Sequence, residues 1–186
     1  MDQLINVLKN DGIAVIPTDT IYGIVGFALN PKAVEKIYKL RKRSKEKPFI
    51  ILISSINDLQ KFSVKLTKEQ KDFLKKHWPN PLSVVLPVVS EEFKYLHRGK
   101  NSLAFRMPKD ENLLALLEQT GPLVAPSANL EGEKPAENIE DAKKYFDSEV
   151  DFYLDGGTLM GKSSTLIEFK NNSINILRQG NYLASF

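Results

Sequence analysis

The 186-residue sequence contains no cysteine and only two histidines. The first absence removes disulfides, thiol nucleophiles and thiolate-held zinc or iron–sulfur centres. The second leaves His77 and His97 in unrelated contexts without the spacing of paired ligands, so no protein-ligated metal is expected. No apolar run approaches the roughly 20 residues that a membrane span requires. The opening MDQLINVLKNDG has neither a basic leader nor a long apolar stretch. A cytoplasmic chain with no membrane partner is therefore expected. Excess charge is also scarce: 26 Lys+Arg against 23 Asp+Glu leave +3. That balance permits contact with nucleic acid without demanding it, the alternative being a lysine-rich solvated surface. No repeat, low-complexity tract or long linker divides the sequence, so residues 1–186 are read as one domain around a single core.

What is present is a set of short apolar runs. Residues 13–16, 49–53, 82–89, 102–107, 122–126, 151–154, 164–169 and 173–178 read as strands. Helical periodicity occupies residues 4–9, 31 to about 43, 56–62, 67–76, 110–119 and 138–146. Asn30-Pro31 is an N-cap followed by a first-turn proline, which sets the start of the second of these helices. Residues 164–178 look like a hairpin turning at Asn171-Asn172, so the expected fold is α/β with a twisted, mixed parallel and antiparallel sheet and flanking helices.

Polar residues cluster where those runs end. They are Thr18 and Thr20 in VIPTDTIYG, Arg41, Arg43 and Lys47 in LRKRSKEKP, Arg106 in LAFRMP, Ser127 and Asn129 in LVAPSANLEG, Ser164 and Thr165 in GKSSTLIEF, and Arg178 in INILRQG. Open α/β sheets gather ligand-binding groups at strand ends, so these residues point to one pocket for an anion, with a nucleotide as the expected ligand. Each has a plainer reading. Cations suit a helix C-terminus, Thr18, Asp19 and Thr20 could cap a helix, and Ser127 with Asn129 could close a strand-end turn. Two arginines spaced i, i+2 nevertheless offer bidentate contacts to a polyphosphate that lysine cannot make. Arg106, following an apolar run, needs a carboxylate partner, either an internal Asp or Glu or a substrate carboxylate.

Two motif matches are set aside. Residues 156–163, GGTLMGKS, fit the P-loop pattern letter by letter, but the next residues, STLIEF, are β-branched and alternating where a P-loop must open a helix. Gly156 and Gly157 are read as turn glycines. Ser127 lacks the flanking glycines of a nucleophile elbow. His77 and His97 receive no catalytic role.

In order, PTDTIYG, the basic R-x-R-x-x-x-K-P-x-x-x-L stretch, FRMP, APSANLEG, DGG…SSTLIEF and ILRQG resemble the motifs of the YrdC-like family, the L-threonylcarbamoyladenylate synthases. The likeness runs from about residue 13 to 180 and is to the short form without an added C-terminal domain. It implies a sheet folded around a positively charged cavity. It also implies a nucleotidyltransferase that turns ATP, L-threonine and bicarbonate into threonylcarbamoyl-AMP and pyrophosphate, with Mg²⁺ carried in on ATP. The product would feed a downstream threonylcarbamoyl transferase that modifies tRNA. By the same resemblance Thr20, Arg106 and Ser164 would hold threonine, and Arg43, Lys47, Ser102, Ser127, Asn129 and Arg178 would hold ATP, with Arg41 and Arg43 serving the chemistry. The sequence departs from the family pattern at Arg41, usually lysine, and at Ser44, commonly proline. Alternatives are a paralogue of the YciO-like branch without this activity, or a module gripping tRNA or double-stranded RNA through its phosphates. Residues 130–137, rich in Gly, Glu, Lys and Pro, are the expected mobile cover.

Overall fold

A computed structural model describes residues 1–170 and 173–183. The chain opens with α1 (Asp2–Lys9), turns at Asp11, whose φ is 64°, and enters β1 (Ala14–Ile16) and β2 (Gly23–Phe27). α2 (Pro31–Leu40) starts where Asn30 Oδ1 accepts from the amides of Lys32 and Ala33 at 2.8 and 3.4 Å. β3 (Ile50–Leu52) leads through a 3₁₀ helix (Ile56–Phe62) to α3 (Lys68–His77), which is held by a reciprocal Thr67–Gln70 capping box. β4 (Leu82–Pro87), α4 (Lys94–His97), β5 (Ser102–Arg106), α5 (Glu111–Thr120) and β6 (Leu123–Val124) follow. The chain continues with α6 (Ile139–Phe146), β7 (Phe152–Tyr153), β8 (Thr165–Lys170) and β9 (Ser173–Arg178).

The strands form one sheet in the order β7-β1-β2-β6-β3-β5-β4-β8-β9. β1–β7, β3–β5 and β4–β8 run parallel, and the other neighbours run antiparallel, so the sheet is mixed as the sequence suggested. β8 and β9 pair antiparallel, while the turn expected at Asn171-Asn172 lies outside the described residues.

Side chains alternate across the sheet and build two apolar layers. One contains Ile13, Val15, Ile51, Val84, Phe105 and Ile167 packed against α2 and the rings of Phe62 and Phe93. The other gathers Ala14, Ile16, Val25, Leu52 and Leu123 under α1 and α5. α1 and α5 cover only part of that second face. The remainder, around Ile50, Ala104, Arg106 and Leu166, faces the cavity described below.

Two expectations are corrected. The helical pattern was expected to reach about residue 43, but α2 ends at Leu40, Arg41 is its cap and Lys42 takes a φ of 50°. The basic residues 41–47 therefore belong to a loop. β2 is a strand that periodicity does not reveal, because it carries two glycines. Gly26 is there for close packing: a Cβ would stand 3.1 Å from Ile37 Cδ1 and 3.2 Å from Ile13 Cγ2, with α2 lying directly against the strand.

Among the described residues, no helix is long and apolar enough to cross a membrane.

Candidate functional site

A cavity of about 260 Å³ opens on the sheet face that α1 and α5 leave uncovered. Its lining includes four arginines, Arg41, Arg43, Arg106 and Arg178, and no Asp or Glu among the described residues. Hydroxyls of Thr18, Thr20, Ser127, Ser163 and Ser164 share the wall. Most of the polar residues expected at strand ends thus converge, but on a floor supplied by the face of the sheet as well as by the ends.

Arg41 is 2% exposed. Its Nε donates to the main-chain oxygen of Asn129 at 2.9 Å, and Nη2 donates to Asn129 Oδ1 at 2.9 Å and to Ser127 Oγ at 3.2 Å. Nη1 is buried and has no hydrogen-bond partner among the described residues. Burial, and then the nearby charge of Arg43, push this guanidinium down to about 10 against the opposing pull of Glu131 and Tyr38. Asn129 is itself buried, and its Nδ2 donates to the carbonyls of Leu130 and Glu133 at 2.7 and 2.8 Å, which fixes the turn after β6.

Arg43 is differently placed. Its Nε donates to the Lys47 carbonyl at 3.3 Å, and the guanidinium lies 5.7 Å over the Phe49 ring, so little inside the protein holds it. Arg106, 4% exposed, donates from Nη1 to Thr20 Oγ1 at 3.2 Å and pairs through Nη2 with Asp19 Oδ1 at 3.3 Å. The internal carboxylate that Arg106 required is therefore Asp19, although Asp19 Oδ1 and Arg106 Nε make no hydrogen bond. The contact is a charge pairing that leaves donor capacity at the cavity. Burial lowers the Arg106 pKa, Asp19 opposes this and Arg178 adds to it.

Arg178, at the end of β9, donates from Nε and Nη2 to the Ser164 carbonyl at 3.1 and 2.9 Å and from Nη2 to Ser164 Oγ at 3.2 Å. Ser164 Oγ also meets Ser83 Oγ at 2.8 Å. Burial and then the Arg43 charge lower the Arg178 pKa. Burial is the first cause of each of these downward shifts and a neighbouring arginine adds to each, so an anion with several oxygens entering the cavity would oppose them. Thr20 is placed by Thr18, whose Oγ1 lies 3.0 Å from Thr20 Oγ1 and donates to the Ile21 carbonyl at 2.7 Å. No helix starts there, so the capping alternative falls.

Four expected site residues, Asn129, Lys47, Ser102 and Thr165, lie outside the lining. Asn129 stands behind Arg41 and Ser127. Lys47 is ion-paired to Glu131 at 2.7 Å. Ser102 shares a strand face with Ala104 and Arg106, but it opens β5 and sits about 13 Å from Arg106 along the strand. Thr165 turns away from Ser164, its hydroxyl donating to the Tyr182 carbonyl at 2.7 Å and accepting from the amides of Gly180 and Tyr182.

Residues 156–163 form no P-loop: the stretch is irregular and runs into β8. Tyr22 holds it, its hydroxyl accepting from the Gly156 amide at 2.8 Å and donating to the Gly157 carbonyl at 2.7 Å. At Gly161 a Cβ would run into the Thr20 carbonyl, so a glycine is needed for this close approach. His77, against Phe73 and Tyr182, and His97, 1% exposed, lie away from the cavity. Asp19, Tyr22 and Glu131 are the organising residues that sequence reasoning missed, since nothing local distinguishes them from turn and core residues.

Among the described residues no group of three or more His, Cys, Asp or Glu could hold a metal ion.

Comparison with known proteins gives the family of the chain. A threonylcarbamoyl-AMP synthase of Pyrococcus abyssi is 31% identical over 175 residues, covering 93% of this chain and 52% of its own length. The chain thus spans about half of that relative. A putative threonylcarbamoyl-AMP synthase of Methanocaldococcus jannaschii is 30% identical and is covered over 82% of its length. The solved structure of P. abyssi Sua5 complexed with L-threonine superposes with a TM-score of 0.88 at 30% identity, over 96% of this chain and 53% of that one. The family profile described as telomere recombination, Sua5/YciO/YrdC, matches residues 6–180, a span that takes in every residue lining the cavity. By that match and by its fold, the chain belongs to the Sua5/YciO/YrdC family.

Proposed function

We propose that this chain is a nucleotidyltransferase that condenses ATP, L-threonine and bicarbonate into threonylcarbamoyl-AMP and pyrophosphate, the product being used by a downstream transferase that modifies tRNA. The observation that carries this reading is a cavity lined by four arginines and, among the described residues, by no Asp or Glu. The names of the relatives and the threonine complex of one of them support the choice of substrates.

In this reading Arg106, with donors left at the cavity, takes the threonine carboxylate as a bidentate fork, and Thr20 and Ser164 orient its polar groups. Arg43, Arg178 and Ser127 hold ATP, with Arg41 fixing Ser127 and Asn129 behind it. Lys47 and Ser102, outside the lining, join as outer contacts to the nucleotide. Bicarbonate breaks a C–O bond to release carbon dioxide and hydroxide, the threonine amine adds to the carbon dioxide, and the proton that the amine loses turns the hydroxide into water, leaving a carbamate. A carbamate oxygen then attacks the α-phosphorus, the bond to the bridging oxygen breaks, and pyrophosphate leaves with that electron pair. No covalent bond to the protein forms. The arginines stabilise charge moving toward the leaving group, and enclosure limits hydrolysis of the carbamate and acyl adenylate. Mg²⁺ is treated as part of the ATP substrate.

The test is incorporation of labelled bicarbonate into an AMP adduct by the purified protein with Mg-ATP, with and without L-threonine. Threonine-dependent adduct with matching pyrophosphate is expected. ATP binding without adduct would replace this reading with that of a paralogue lacking the activity. Salt-sensitive RNA binding without ATP binding would replace it with the RNA module.

A further inference from the structure

Glu131 bridges two loops that meet at the cavity. Its Oε1 pairs with Lys47 Nζ at 2.7 Å, its Oε2 accepts from the Ser44 amide at 2.6 Å, and its own amide donates to the Arg41 carbonyl at 2.9 Å. One loop carries Arg41 and Arg43 into the lining, and the other carries Pro135. Among the described residues the cavity wall has no carboxylate of its own, and Glu131 brings negative charge beside the loop that carries Arg41 and Arg43.

Two features make this contact exchangeable rather than permanent. The side chains of Lys47 and Glu131 are 60% and 26% exposed, and pairs of that kind are weak in water. An ammonium beside a main-chain N–H is also a donor set that suits a phosphate oxygen as well as a carboxylate oxygen. The Ser44 amide is available because residue 44 is not proline, which has no N–H to give.

We propose that Glu131 is an internal competitor for the phosphates of the nucleotide: it latches Ser44 and Lys47 across the two loops and is displaced when a triphosphate enters, so that Glu131 sets nucleotide affinity. The proposal rests on the nucleotide reading of the cavity. It also accounts for Lys47, a cation expected at the ligand, being turned to a carboxylate.

The experiment is calorimetric titration of the full chain with two probes, ATP and inorganic tripolyphosphate. Glu131→Gln should tighten both about twofold to fivefold, the range that loss of an exposed ion pair supplies. Glu133→Gln, which removes a charge from the same loop without touching the latch, should change neither. The gain should shrink in a Lys47→Met background, where the latch has lost its cation. Unchanged or weakened affinity in Glu131→Gln overturns the proposal. A gain for tripolyphosphate in a protein that makes no threonylcarbamoyl-AMP keeps the latch and discards the synthase reading. Adduct formation with no gain does the reverse, and failure of every variant to bind either probe overturns both.

Discussion

Two donors of the Arg41 guanidinium converge on Asn129, Nε on the main-chain oxygen and Nη2 on the side-chain oxygen, each at 2.9 Å. A helix cap is thereby joined to the turn after β6, and one arginine fixes the position of Ser127 in the cavity wall. Two residues later Arg43 has no comparable anchor. Adjacent cations of the same type therefore carry different tasks, and substitutions should separate them.

Arg41→Lys should lower stability by about 1–3 kcal/mol, because one ammonium cannot span the acceptors that the planar fork reaches. Urea denaturation measures this, and a variant as stable as the parent would show that the fork is dispensable.

Arg43→Ala should leave stability within about 0.5 kcal/mol of the parent, as expected for a weakly held side chain. Nucleotide affinity should fall by about tenfold to a hundredfold, the worth of a charge-assisted hydrogen bond. Unchanged affinity in a titration would remove Arg43 from the nucleotide site.

Asp19→Asn strips the buried Arg106 of its charge partner at 3.3 Å. A loss of about 3 kcal/mol is expected from chemical denaturation without ligand. A neutral result would mean that solvent or another group compensates Arg106.

Gly161→Ala forces the strap of residues 156–163 off the Thr20 carbonyl. Adduct formation should drop on the order of tenfold or more through displacement of Thr20, with cooperative unfolding retained. Full activity would show that the strap can shift without moving the site.

Asp58 gives the pH prediction. Its Oδ2 accepts from the Ser54 amide, the Ser54 hydroxyl and the Ser55 amide, and Oδ1 pairs with Lys61 at 2.7 Å. Burial alone would raise its pKa, but the bonds to Lys61, Ser54 and Ser55 outweigh it and the net shift is downward. A carboxyl whose folded pKa is depressed stabilises the fold above the unfolded value of about 3.9 and loses that contribution as pH falls through the folded value. Asp58→Asn should therefore cost about 1 kcal/mol at pH 7. The difference should begin to shrink only as pH drops below about 3.9 and should vanish once pH lies below the depressed folded value, as read from denaturation curves taken from neutral to acid pH, and a constant difference would contradict the assignment.

Much of this protein is decided locally. Asn30-Pro31 starts α2 by itself because capping and a fixed proline φ need no distant partner. The alternating residues after Ser163 make β8 and thereby exclude a P-loop, whose helix they cannot form. Runs of branched apolar residues mark β3, β4 and β5, and strand-end polar residues identify Thr20, Arg106, Ser127, Ser164 and Arg178 before any contact is known. Only the tertiary structure decides which of these meet and what each does. Arg106 and Thr20 are 86 positions apart and Arg41 and Asn129 are 88 apart, distances that sheet order alone closes. β2 escapes the sequence because its glycines serve the packing of α2 rather than strand propensity. The different roles of Arg41 and Arg43 escape it because the direction in which α2 ends decides which guanidinium is buried. Periodicity and capping are properties of neighbouring residues, whereas burial, charge pairing and the choice of Glu131 as a partner arise from strands and loops brought together from distant parts of the chain.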